Sequence, residues 1–287
     1  MFNFAYRNLI LFLKDKTAVV LSFLAEFIMV GLYILFLRDN LITSFAQIKN
    51  LQLLMDVWMI AGILGVTSVT TTMGAYGIMV DDKAKKIDRD FWTSPIQKRS
   101  VLGGYMLAAV VIGIFLSVFI FLISQIYILH EYRVKLGADT MALIYGILIL
   151  NTISNSSMVL FLVSFLKSSN ALASCCTILG ALIGFLTGIY LPIGNLPEEV
   201  QWVVKCFPVS HGVALLRQAL MEPFMIESFG GIKTERALQF TEYMGIQYTN
   251  DGSFMPKKSN VVILVVTTII CFIATILKSN KGMHEAE

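Results

Sequence analysis

The chain has 287 residues, 56% of them hydrophobic and 14% charged, with a mean hydropathy of +0.75. A soluble domain of this length carries about 25% charged residues, and here the apolar surplus falls in long blocks, which excludes an ordinary soluble fold. The net charge of +3 is too modest to indicate nucleic-acid binding.

Blocks of about 18 or more apolar residues with few charges read as membrane-spanning helices. Six are present, at 18–37, 57–80, 100–129, 141–166, 171–191 and 260–277. Only helices and closed barrels satisfy their backbone groups in lipid, and these unbroken runs are not strand-like. The expected fold class is therefore all-α: one polytopic transmembrane domain over 1–287, with both ends on the same side. Arg7, Lys14, Lys16, Lys83, Lys85, Lys86, Arg89, Lys98, Arg99, Lys167, Lys278 and Lys281 fall on that side, against Arg38, Lys49, Arg133 and Lys135 in the two short opposite loops. The positive-inside rule places the ends in the cytoplasm.

In chain order, residues 1–16 place Phe2, Ala5, Tyr6, Leu9, Phe12 and Leu13 at three- and four-residue steps, with Arg7 and Lys14 on the polar side. This predicts a helix lying in the cytoplasmic interface. No cleaved signal peptide is expected, and the first span serves as the insertion signal. That span carries Glu26, with Ser22 and Tyr33 on the same side. A carboxylate there costs on the order of 3 kcal/mol, so it should face protein or water, or be protonated. It is read as a pathway or proton-linked group or as a structural partner for another helix. In the second span Thr67, Thr70, Thr71 and Gly74 share a face, suited to helix packing and long enough to border a cavity.

The segment 81–99 is a loop in which charge gathers. Lys83, Lys85, Lys86 and Arg89 alternate with Asp81, Asp82, Asp88 and Asp90, followed by Phe91, Trp92, Ser94 and Pro95. The mixed charges suit a helix. The aromatic pair needs a surface to bury against, and charged flanks around a compact aromatic patch suggest docking of a soluble partner. In the fourth span Asn151, Ser154 and Asn155 share a face, as helix glue or as path lining. In the fifth, Gly180, Gly184 and Gly188 form a doubled Gly-x-x-x-Gly face for close packing, within the chain or across a dimer. Cys175, Cys176 and Cys271 lie in spans and only Cys206 outside, so no intrachain disulfide is expected.

The segment 192–259 lies on the extracellular side. Pro197, Glu198 and Glu199 suit a helix start, Val200, Val203, Val204 and Phe207 follow on one face, and Pro208 ends the run. Ser210 is read as the cap of a second helix carrying Val213, Leu216 and Leu220. The pair reads as re-entrant or interfacial, and Glu222 to Lys258 as loop. No phosphate-binding loop, zinc-protease motif or nucleophile elbow occurs, and His130, His211 and His284 lie in different segments, so no catalytic residues and no metal site are expected.

"DRDFWTSPIQKRSVLGGYML" resembles the loop between spans two and three of ABC-2 type permeases. "YLPIGNLPEEVQWVVKCFPVSHGVALLRQAL" is similar to that family's segment after span five. The resemblance implies the permease subunit of an ATP-driven exporter, a non-enzymatic chain. It would pair with two copies of a separate ABC ATPase and with a second permease as homodimer or heterodimer. ATP and magnesium would sit on the ATPase, with no cofactor on this chain. The resemblance makes 81–99 the coupling element, through Asp88, Arg89, Asp90, Phe91, Trp92, Ser94 and Pro95, braced by the interfacial helix. Spans two and five would line the path, for which Glu26, Thr67, Thr70, Thr71, Asn151 and Asn155 are the candidates. Phe207, Pro208 and His211 would form the external gate. The expected cargo is amphipathic or hydrophobic (a drug, antimicrobial peptide, toxin or lipid-like molecule), and the expected location is a bacterial cell membrane. The alternative is a proton-coupled secondary carrier using Glu26, or a membrane-embedded enzyme, with no ATPase partner.

Overall fold

The computed structural model describes residues 1–38, 41, 45, 48–93, 96–232, 234–250 and 252–281. Its helices are α1 (Phe2–Lys14), α2 (Lys16–Leu32, continued by a π-helical turn Tyr33–Leu37), α3 (Leu51–Ala75), α4 (Gly77–Ala84), α5 (Asp88–Thr93) and α6 (Lys98–Tyr132). After these come α7 (Ala138–Ser164), α8 (Ser169–Leu186), α9 (Glu198–Cys206), α10 (Pro208–Phe229), α11 (Glu235–Tyr243) and α12 (Lys257–Lys281). Six stretches are long and apolar enough to cross a membrane: Val19–Leu37, Leu51–Ala84, Arg99–Tyr132, Ala138–Ser164, Ser169–Leu186 and Lys257–Ser279. The protein is an all-α polytopic membrane protein.

Two spans depart from the sequence-based bounds by five residues or more, for physical reasons. The second begins at Leu51 and not at 57, because Asp56, which halts an apolar run, is buried and satisfied by partners from other helices. The fifth ends at Leu186 and not at 191. Gly188 adopts φ +67°, and the amides of Gly188 and Ile189 donate back to the carbonyls of Phe185 and Gly184. This Schellman closure stops the helix, so Gly188 leaves the helical face shared by Gly180 and Gly184.

The core runs along α3, which is held on all sides by α6, α7 and α10. The helix α10 is buried continuously from Val209 to Met221, so it enters the bundle and is no surface amphipathic helix. Glycines make room for it. A Cβ on Gly65 would overlap Val213, and one on Gly212 would overlap the Asn151 side-chain amide. Such small-residue contacts let membrane helices approach closely.

The stretch from Glu222 to Lys258, read as loop, is more ordered than its polarity suggested. The helix α10 continues to Phe229. Thr234 then caps α11 by accepting from the amide of Ala237. The buried faces of Ala237 and Phe240 fix α11 to the core. A short hairpin pairs Thr249 with Phe254 and Asn250 with Ser253. Ser210 is not the cap of α10. Pro208 opens the helix, and the Ser210 hydroxyl donates to the carbonyls of Val204 and Phe207.

Candidate functional site

The last turn of α4, on the side of the molecule where the chain begins, ties four other helices together. Successive helical side chains are about 100° apart, so Asp81, Asp82 and Lys83 point in different directions. Asp81 accepts from the Ser169 hydroxyl at the start of α8, at 2.7 Å. Asp82 is buried and takes both terminal nitrogens of Arg7 on α1, at 2.8 and 3.0 Å, and the Tyr105 hydroxyl of α6 at 2.6 Å. Bidentate pairs of this kind are strong and directional, and the hydrogen bond to Asp82 holds the Arg7 guanidinium above its ordinary pKa, against partial burial. Lys83 donates to the carbonyls of Val163 and Ser164 at the C-terminal end of α7, where a cation meets the negative end of the helix dipole.

The adjoining α5 carries Asp88 and Asp90 in its first turn and rests on α1 through aromatic contacts. Phe91 meets Phe4 edge-on with ring centres 5.0 Å apart, and Phe4 meets Tyr105 at 4.9 Å. The Arg7 guanidinium lies 5.3 Å from the Phe91 ring centre and 5.5 Å from that of Phe4. Phe91 therefore does bury against a surface, and that surface includes this chain's own first helix. Gly104 lets α1 lie so close: a Cβ there would come 2.7 Å from the Phe4 ring. The side chains of Arg89 and Trp92, and the whole of Ser94 and Pro95, lie outside the described residues.

Within the spans, the structure sorts the polar candidates. Glu26 is buried, and its Oε1 accepts from the Thr70 hydroxyl at 2.9 Å. Thr67 and Thr71 are buried and donate to carbonyls one turn back in α3, which satisfies them without water. Asn151 and Asn155 both donate to Ser68 on α3, at 3.0 and 2.6 Å, and Asn155 also donates to Asn151. These buried amides tie α7 to α3 beside the insertion of α10. Gly184 closes against the Tyr190 ring, whereas Gly180 has open space where a side chain would go.

Away from α4, Phe207 and Pro208 form the elbow between α9 and α10. His211, one turn into α10, is buried, with Nδ1 2.8 Å from the Asn260 side-chain oxygen and Nε2 2.7 Å from the Lys205 carbonyl. The carbonyl requires a proton on Nε2. A neutral ring then needs the Asn260 amide turned so that its otherwise unpaired nitrogen donates to Nδ1. His211 thus joins α9, α10 and α12, and it packs edge-on against Tyr248.

Two charged groups were missed as site residues. Arg217 is fully buried, stacks 4.3 Å from the Trp58 ring centre and donates to the carbonyls of Gly188, Met244 and Gly245. Asp56 accepts from the hydroxyls of Tyr33, Tyr127 and Tyr132 and from Arg38. The signal was there: three tyrosines and an arginine near the same ends of spans one and three mark a site for a buried anion.

A family model described as ABC-2 type transporter matches residues 2–221. That match takes in the α4–α5 segment, the first four turns of α10 and all but the last of the spans. No curated protein matches the chain. With six membrane-crossing helices and a match over most of its length, the chain belongs to the ABC-2 type transporter family and is a membrane component of a transport system.

Proposed function

We propose that the chain is the permease of an ATP-driven exporter, coupled through the α4–α5 segment to a separate ATPase. The observation that carries this reading is the anchoring of one helical turn, Asp81 to Lys83, to α1, α6, α7 and α8 at once. A push on α5 from an ATPase would be shared among the helices bolted to that turn and would not be lost in a loose loop. Asp88, Arg89, Asp90, Phe91, Trp92, Ser94 and Pro95 would meet the ATPase, with α1 behind them as a brace. A conformational change of this kind requires the ATPase to bind the segment differently with and without nucleotide. The chain ends then lie in the cytoplasm, as the basic residues favour, with a bacterial cell membrane as the proposed setting.

Two permeases, identical or related, would pair so that span five, whose face around Gly180 is open, borders the path with Glu26 and the polar edge of span two. The α9–α10 elbow at Phe207, Pro208 and His211 would part on the far side to release an amphipathic or hydrophobic cargo. The competing reading is a proton-coupled carrier using Glu26. Both are tested by reconstituting the chain in vesicles with and without its ATPase. Transport only with ATPase and ATP is expected; transport by the chain alone, driven by a proton gradient, selects the carrier.

A further inference from the structure

A cavity of about 540 Å³ lies between α2, α3 and α6, within the usual range of about 300–1,000 Å³ for ligand sites. Its walls are almost wholly apolar. On one side it is flanked by residues exposed on the outer face of the bundle, among them Leu24, Phe27, Phe119 and Ile123, so in a bilayer it opens toward the acyl chains. Two carboxylates line it, and they differ. Asp56 is saturated by Arg38 and three tyrosines. Glu26 is only 4% exposed, and its Oε2 has no hydrogen-bond partner. Its Oε1 is met by the Thr70 hydroxyl, a neutral group about 21 Å along α3 from Asp56.

We infer that this cavity binds a lipophilic cation: an amphiphile with a single protonated amine that meets Glu26 Oε2 and a hydrocarbon body that fills the apolar walls. A buried acceptor without a partner is costly, and a carboxyl group ionised there costs more again until a cation meets it. A ligand that supplies an N–H donor with positive charge removes both penalties. A neutral alcohol supplies a donor but no charge, and a carboxylic acid or sulfate adds repulsion. The apolar walls set the rest of the preference through burial of hydrocarbon. Glu26 is shared with the proposed path, but labelling is read on this chain without an ATPase, so the binding site can fail while the transport reading stands.

The test is photolabelling of the full chain in phosphatidylcholine nanodiscs by a long-chain primary alkylamine that carries a diazirine at its tail. Adducts should concentrate on peptides from α2, α3 and α6 that line the cavity. Excess dodecylamine should suppress them, and dodecanol and dodecanoate should not. Glu26→Gln should reduce labelling about tenfold, and the variant should fold, because glutamine keeps an acceptor for Thr70. Val30→Phe, which fills the cavity from α2, should block labelling without touching the carboxyl group. Equal competition by dodecanol, adducts spread evenly over the lipid-facing helices, or unchanged labelling in the Glu26→Gln chain would each overturn the proposal.

Discussion

The second and fifth spans are both polar-spotted apolar helices, yet within one chain they meet opposite fates. Of the most apolar stretch of the second, 94% is buried; of the fifth, 11%. Threonines, a serine and glycines on the second are consumed by contacts with α6, α7 and α10, leaving Thr70 to meet Glu26. On the fifth, Cys176, Thr177, Ile178 and Gly180 face outward. Small and polar residues are thus not a signature of one role. The same composition makes a packed core where neighbours arrive from four sides, and a face awaiting a second copy or lipid where they do not.

The comparison breaks most sharply at two glycines. Gly65→Leu, on the second span, forces a side chain into Val213 on α10 and should prevent the folded protein from accumulating, read as loss of the monodisperse peak on size exclusion. At Gly180 a Cβ would have open space among the described residues, so Gly180→Leu should leave thermal stability of the single chain within about 0.5 kcal/mol. If span five pairs with a second permease, the same change should shift the detergent-solubilised protein toward monomer. Should Gly180→Leu unfold the chain as Gly65→Leu does, the contrast between the spans is wrong.

Next in size is Arg217, the buried cation where the second span meets α10. Arg217→Ala removes a desolvated stack on Trp58 and hydrogen bonds to three carbonyls. It should cost about 3 kcal/mol, measured as a lowered melting temperature in detergent. A matched truncation on span five, Ile178→Ala, should cost a few tenths of that.

Much of this was legible in the sequence. The six spans follow from run length alone, and the burial of Glu26 against protein follows from the cost of a carboxylate in lipid, but its meeting with Thr70 of the second span does not. The burial of Phe91 was legible too, because an aromatic in a charged loop must find cover. What covers it was not, because contacts between Phe4 and Phe91 join residues far apart in sequence and no local period encodes them. Asp56 cut the second span short for the same reason: a carboxylate reads as a boundary until the tyrosines that neutralise it are brought from other helices. Gly188 misled in a different way, since a four-residue repeat of glycine fits a helical face and a helix stop equally well.

Smaller effects probe the turn that leads out of the second span and reaches the fifth. Arg7→Ala leaves Asp82 with Tyr105 alone; since the Arg7 side chain is 33% exposed, solvent screens the loss, and a cost of about 1 kcal/mol in stability is expected. Ser169→Ala deletes an exposed hydrogen bond between α4 and α8 and should cost no more than about 0.5 kcal/mol. The stability ranking is ordinary; the functional ranking separates the roles. If the turn from Asp81 to Lys83 transmits force, both variants should retain ATP hydrolysis by the assembled complex while lowering transport per ATP, and the Arg7 variant should do so more, because it frees the brace beneath Phe91. If hydrolysis and transport fall together, in proportion to the amount of folded complex, then this turn only holds the bundle shut at one end, and the second and fifth spans are joined there by packing and not by transmission.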